Sequence, residues 1–323
     1  MPSDKSIAMR HHNRQGGFVL VSVLWILAIL TVVSLGFARR AMLERQMAWY
    51  SLDREQAQQM ARGAAELAIL ELVNKERLDA YNNQAGYTGL NQRWAIPVDL
   101  LRDGQYFREP AQGGFENDIC VYTIEDCERR ISLNLAPQEV LEEFDVLQFG
   151  TIEDIMRRRT SGERGYQAHW IPDVDELQTM QFFSPEEWNG YQDEAGIRQA
   201  LTVWGDGLIN VNTAPFEVLR AIPDVDEGLI EAILDYRSGP DGELYTGDDG
   251  VFESLQIIAR RLEISAEKMT PINTYCKTTS QFFKIRTQAT RRQGKINAFC
   301  TVVVQIYGSA PLILEWKEEA IGA

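Results

Sequence analysis

The hydropathy pattern opens with one long apolar block. From Phe18 to Ala38 only Ser22, Thr31 and Ser34 interrupt an apolar run of roughly 20 residues, enough to cross a bilayer as a helix. Lys5, Arg10 and Arg14 precede it with no acid but Asp4, which predicts a cytoplasmic N-terminus and a globular part on the other side. The next stretch, ARRAMLERQMAWYSLDREQAQQMARGAAELAILELVNKE, has no Pro and only Gly63, and strong helix formers dominate it. Ala57, Ala61, Ala64, Ala65 and Ala68, with Leu67, Ile69 and Leu72, recur near helical spacing. That spacing predicts one helix continuing to about Lys75, its outer half burying an Ala/Leu face against a globular domain.

Further on the period changes. AYNNQAGYTGLNQRWAIPVDLLRDGQYFREPAQGG reads as an exposed connection, and DICVYTIED alternates as a strand does. Near the other end, CKTTSQFFKIRTQATRRQGKINAFCTVVVQIYG reads as two strands joined near RRQGK, with PLILEWKEE as a last strand. Strands on both sides of a helical middle predict an α+β domain whose sheet is interrupted by an insertion.

The middle repeats itself. ISLNLAPQEVL begins at Ile131 and INVNTAPFEVL at Ile209, an offset of 78 that also relates Ile152 to Ile230, Glu153 to Glu231, Ile155 to Ile233 and Arg159 to Arg237. Two copies of one helical unit are expected, over 131–183 and 209–261. In each, an extended segment enters a helix with Pro137 or Pro215 in the first turn, where a missing N–H costs nothing. Val140-Leu141 and Val218-Leu219 supply the buried face.

Charge narrows the function. The chain carries −15 overall, and residues 131–264 hold 27 Asp/Glu against 9 Lys/Arg, so the middle is at −18 and the rest at +3. Such a balance opposes general nucleic-acid binding, which needs cations on phosphate. The second copy resembles the helix-hairpin-helix modules of membrane-anchored DNA receptors, but Asp224 and Asp226 stand where a glycine turn would cradle phosphate. His169 is the one histidine beyond the leader, and no catalytic serine, zinc-protease or P-loop pattern occurs, so no enzyme is expected.

Two smaller features stay open. Cys120, Cys127, Cys276 and Cys300 lack metal-binding spacing. They allow either disulfides of unknown pairing or buried thiols, with Cys120–Cys127 disfavoured if one strand separates them. The loop GPDGELYTGDDGVF offers Asp241, Glu243, Asp248 and Asp249 as hard oxygen ligands for calcium, without EF-hand spacing; a solvated acidic loop is the alternative.

The leader carries a family resemblance. A short basic segment ending at Gly17, then Phe18 and the apolar helix, resembles a type IV prepilin or type II secretion pseudopilin. A secretory signal peptide would be cut after its apolar core; here the small residue precedes it. RRISLNLAP, DGLINVNTAPFEVLRAIP and YRSG…GVFESL, with the trailing strands, resemble the minor pseudopilin K (general secretion pathway protein K) family of type II secretion. The resemblance implies cleavage between Gly17 and Phe18 by a prepilin peptidase, and methylation of the Phe18 amine. It implies a pseudopilin fold, a long helix packed on an antiparallel sheet, with a large inserted α-helical domain. The expected layout is a leader (1–17), a transmembrane helix (18–38), a periplasmic helix (39–78), a first α+β part (79–130), an acidic insert (131–264) and C-terminal strands (265–323). Implied partners are minor pseudopilins I and J, the major pseudopilin below the tip and secreted cargo, at the bacterial inner membrane; calcium binding is implied for the globular part. A minor pilin of a type IV pilus is the alternative. Ser22 stands at the fifth position after cleavage, where other pilins carry a glutamate that meets a neighbour's amine. A subunit with nothing above it has no such amine to meet, and a buried carboxylate without a partner is costly.

Overall fold

The computed structural model describes residues 15–81, 86–100, 118–160, 170–191, 194–246, 248–292, 294–308 and 310–322. Lys5, Arg10, Arg14, His169 and Gly247 lie outside them. The chain divides into two compact units, Met1–Glu55 and Gln56–Ala323.

Helix α1 (Gln15–Tyr81) is continuous over 67 residues. In the first unit its apolar side chains are exposed, and a window of mean hydropathy 2.8 has no buried residue, which fits a membrane anchor. In the second unit Ala57, Ala61, Ala64, Ala65, Ala68, Leu72 and Val73 are buried. After β1 (Val98–Asp99) and β2 (Ile119–Asp126) the chain leaves the sheet. β3 (Ile131–Ser132) leads into α2 (Gln138–Glu143), α3 (Phe149–Thr160), α4 (Leu177–Met180) and α5 (Pro185–Asn189). A small hairpin of β4 (Gly190–Tyr191) and β5 (Glu194–Ala195), then α6 (Ile197–Ala200) and β6 (Leu201–Thr202), follow. β7 (Ile209–Asn210) starts the next stretch: α7 (Phe216–Arg220), α8 (Glu227–Arg237), α9 (Leu255–Arg261), α10 (Thr270–Tyr275) and β8 (Cys276–Lys277). β9 (Phe282–Arg291), β10 (Ile296–Tyr307) and β11 (Ala310–Gly322) then complete a sheet of order β1-β2-β9-β10-β11, antiparallel throughout.

The sheet strands alternate because one face packs on α1. Ile296, Ala298, Cys300, Val302, Val304 and Ile306 of β10 share a core with Tyr122, Ile124, Phe283, Ile285 and the alanines of α1. One row of that face, Cys120–Ala289–Ala298, is small across three strands. Small side chains on both surfaces bring the helix backbone close: the Thr287 hydroxyl donates to the Ala61 carbonyl at 2.9 Å.

The helical stretch has its own core, running from Ile131 to Cys276. Its two halves use hydrogen bonds of the same kind, made by asparagines and arginines 78 residues apart. β3 pairs with β6 and β7 with β8, both parallel. Asn134 brackets Ile171, donating to its carbonyl and accepting from its N–H, and donates also to the Val203 carbonyl. Asn212 does the same to Phe252 and the Thr278 carbonyl. The Arg159 guanidinium donates to the carbonyls of Leu133 and Ala136, and Arg237 to those of Val211 and Ala214. Buried turn carbonyls need donors, and a long cation from the following helix supplies them.

Two expectations change. Residues 265–277, assigned from sequence to the C-terminal strands, hold α10 and β8, and Met269, Ile272 and Cys276 belong to the helical core. Pro137 and Pro215 cap their helices from the preceding position rather than lying in the first turn. In the structure Cys120, Cys127, Cys276 and Cys300 are all free and buried. Cys120 and Cys300 lie on β2 and β10 with β9 between them. Two strand spacings, about 10 Å, exceed the span of a disulfide. Burial pushes the Cys120 thiol up to about 12 and the Cys300 thiol up to about 11, and raises Cys127 and Cys276 as well.

Candidate functional site

Gly17 lies in the first turns of α1, and Phe18 is 77% exposed. The Ser22 hydroxyl donates to the Phe18 carbonyl at 2.9 Å, the ordinary i−4 bond of a helix serine. The fifth position is thus neutral and satisfied within its own helix.

Where the chain leaves and rejoins the sheet, a buried polar knot forms. The Asp126 carboxylate accepts from the Thr213 hydroxyl at 2.6 Å, the Ser280 hydroxyl at 2.7 Å, the Asn210 amide at 3.0 Å and the Glu128 N–H at 2.8 Å. Asn210 also donates to the Thr88 carbonyl. Beside it, Lys277 bridges Glu128 and Asp206, 2.7 Å from each. Burial pushes the Glu128 carboxyl up to about 7, against the pull of Lys277. Burial also works against ionising Asp206, but its hydrogen bond with Lys277 prevails and holds it below the usual carboxylate range. Sequence reading missed this knot; its signal is that Glu128 and Asp206 share the 78-residue offset.

The acidic loop places Asp248 and Asp249 on one hydroxyl: Thr246 Oγ1 lies 2.7 Å from Asp248 Oδ1 and 3.0 Å from Asp249 Oδ1. A hydroxyl has one hydrogen, so one of these oxygens faces a lone pair. The other Asp249 oxygen accepts from the Tyr245 N–H, and Asp241 accepts from the Glu243 N–H. Among the described residues no three acidic, His or Cys side chains come together around a metal position. The donor chemistry fits a hard cation, while the six to eight oxygens of a calcium shell are not assembled from side chains alone.

In the hairpin of the second copy, Asp224 has φ 58° and the Asp226 side chain accepts from the Leu229 N–H at the start of α8. Lys268 holds that carboxylate at 2.8 Å. The N–H a phosphate would need is therefore already engaged by an acid.

A cleft of about 1230 Å³ opens between the helical stretch and the sheet face turned away from α1, its walls carrying both cations such as Arg129, Lys284 and Arg286 and carboxylates such as Glu143, Glu187 and Glu319.

No protein-family model matches the chain. Type II secretion system protein K of Pseudomonas aeruginosa is 26% identical over 264 residues, spanning 69% of this chain and 72% of that protein. A chain in the crystal structure of the GspK-GspI-GspJ complex from the enterotoxigenic Escherichia coli Type 2 Secretion System superposes with a TM-score of 0.56 at 14% identity, over 84% of this chain and 99% of that one. The second likeness speaks for the fold: α+β, with a long N-terminal helix and an antiparallel sheet. In sequence the chain is similar to type II secretion system protein K, and in fold to a chain of the GspK-GspI-GspJ complex.

Proposed function

We propose that the protein is a non-enzymatic minor pseudopilin of the type II secretion system, placed at the pseudopilus tip and supporting protein secretion across the outer membrane. The observation that carries this reading is the 264-residue match to protein K, which reaches well beyond the apolar helix. In the same reading α1 anchors the chain once in the inner membrane, N-terminus inside, after cleavage at Gly17 and methylation of Phe18. Minor pseudopilins I and J are its tip partners and the major pseudopilin lies below. Ser22 supports the tip position, since its hydroxyl is spent within α1 and no charge waits for a subunit above. Residues 131–277 are the inserted domain of two copies, supported by the recurring Asn and Arg hydrogen bonds. Co-purification of the detergent-solubilised full chain with pseudopilins I and J tests the proposal by mass. A one-to-one-to-one complex supports it; no association sinks it in favour of a minor pilin of a type IV pilus. The acidic hairpin favours neither nucleic acid nor a DNA receptor.

Calcium belongs to the same proposal, with Asp241, Glu243, Asp248 and Asp249 as the local donors and the shared Thr246 hydroxyl as its support. Millimolar calcium should raise Tm by several degrees, and Asp248→Asn should abolish the rise. An unchanged Tm on adding calcium or chelator removes calcium from the reading.

A further inference from the structure

The first copy exposes two phenylalanines beside a core that other residues already fill. Phe149, the first residue of α3, is 67% exposed, and Phe182, just past α4, is 86% exposed. Their neighbours face inward instead: Phe144 and Leu147 before the one, Phe183 after the other, with the Phe183 and Trp188 rings 5.3 Å apart. One side chain ties the two segments together. Gln181 accepts from the Gln148 N–H at 2.9 Å and from the Thr151 hydroxyl at 3.0 Å, and donates to the Val146 carbonyl at 2.9 Å. Phe149 and Phe182, each next to a residue of this clamp, therefore stand on adjoining segments. The framework does not require them: at the 78-residue offset the second copy has Glu227 and Arg260, both exposed.

The two segments that carry them bear one sign of charge. Residues 138–154 and 176–188 hold nine Asp/Glu and no Lys or Arg. Three of the nine pair with arginines from outside these segments: Asp145 with Arg220, Asp154 with Arg157 and Glu176 with Arg158. The other six, Glu139, Glu142, Glu143, Glu153, Glu186 and Glu187, are exposed and close no ion pair among the described residues. Those acids decide what can cover the phenylalanines. An anionic lipid surface or a nucleic acid would bring phosphate against them, and a second copy would bring the same carboxylates. A small molecule would find too little wall, because a side chain that is 86% exposed stands out from the surface rather than lining a pocket. A polypeptide segment with apolar side chains set among Lys or Arg meets both requirements.

We propose that Phe149 and Phe182 form a docking patch for a cationic amphipathic segment of a partner protein, the two rings entering its apolar face and the surrounding glutamates meeting its Lys or Arg. The proposal holds whether or not the protein sits at a pseudopilus tip. Its test is surface plasmon resonance on the immobilised, detergent-solubilised full chain, with a peptide of three Lys-Leu-Leu-Lys repeats as the probe. Empty micelles on a reference surface cancel uptake by the detergent. Saturable binding is expected, weakened about tenfold in Phe149→Ser/Phe182→Ser, about threefold in Glu153→Gln/Glu186→Gln and not at all in Glu227→Gln of the second copy. Unaltered melting curves identify variants that fold, and Phe182→Ser serves alone if the double variant does not. No saturable binding overturns the proposal, as does binding indifferent to the phenylalanines. Equally tight binding of dodecalysine overturns it in favour of charge attraction alone. Phosphatidylglycerol that co-purifies with the wild-type chain and not with the phenylalanine variants overturns it in favour of a lipid surface. A mass that doubles with concentration only while the phenylalanines are present overturns it in favour of a second copy.

Discussion

The two copies in the helical stretch share a framework but differ in what they hold. Asn134 and Asn212 bracket distant backbone in the same way, and Arg159 and Arg237 satisfy the same turn carbonyls. The position two residues before each asparagine differs. In the second copy Asn210 is wired to Asp126, Thr88 and Ser280. In the first copy its equivalent, Ser132, has a buried hydroxyl without a partner. One copy is therefore fastened to the sheet through a polar knot, and the other repeats the internal framework without that fastening. A repeat copies a local solution; attachment to a neighbour is what lets the copies diverge.

The comparison breaks most sharply at those two positions. Asn210→Ala should cost about 3 kcal/mol in chemical unfolding, because it strips buried partners from a carboxylate and a carbonyl. Ser132→Ala should change stability by less than about 0.5 kcal/mol, since its hydroxyl has no bond to lose. Equal costs would mean that the knot does not fasten the second copy.

The arginines give the next largest effect. Burial lowers both to about 10, but Arg237 is 3% exposed and Arg159 is only partly buried. Arg237→Met should lower stability by about 2–4 kcal/mol and Arg159→Met by about half as much, read from urea midpoints. A larger loss at Arg159 would reverse the ranking of the copies.

A further effect, spread over several pH units, is a slope at Glu128 and Asp206, the acids that share Lys277. In the folded protein Glu128 keeps its proton up to about 7, while an unfolded glutamate loses it near 4.5. Its stabilising contribution is complete below 4.5 and is lost as pH rises through 7. Stability should therefore fall across that window, by at most about 1.4 kcal/mol per pH unit. Glu128→Gln should flatten the fall in Tm between pH 5 and 8; an unchanged slope would show that Glu128 does not carry it.

What the sequence made legible followed periodicity. The apolar block from Phe18, the alanine face of α1, the alternation in β2, β9 and β10, and the 78-residue offset are all patterns repeated along one chain. Contacts between distant segments left no such trace. Glu125 and Lys284 meet only because β2 and β9 pair in a particular register, and Thr88 reaches Asn210 across most of the domain. Residues 270–275, with threonines, an isoleucine and a tyrosine, read locally as neither helix nor strand. Packing of Ile272 into the helical core decides for α10. The cysteines stayed open for the same reason, since their even number says nothing about which strands separate them.

The register of β2 against β9 pairs Asp126 with Phe283, so the chain departs from and returns to almost the same point. Everything between behaves as a passenger on a hairpin. A turn of a few residues joining Asp126 to Phe283 would close that hairpin directly and leave the five-stranded sheet and its helix as a small stand-alone scaffold. The same geometry makes the junction a natural port for foreign domains, whose two ends need only lie a strand spacing apart.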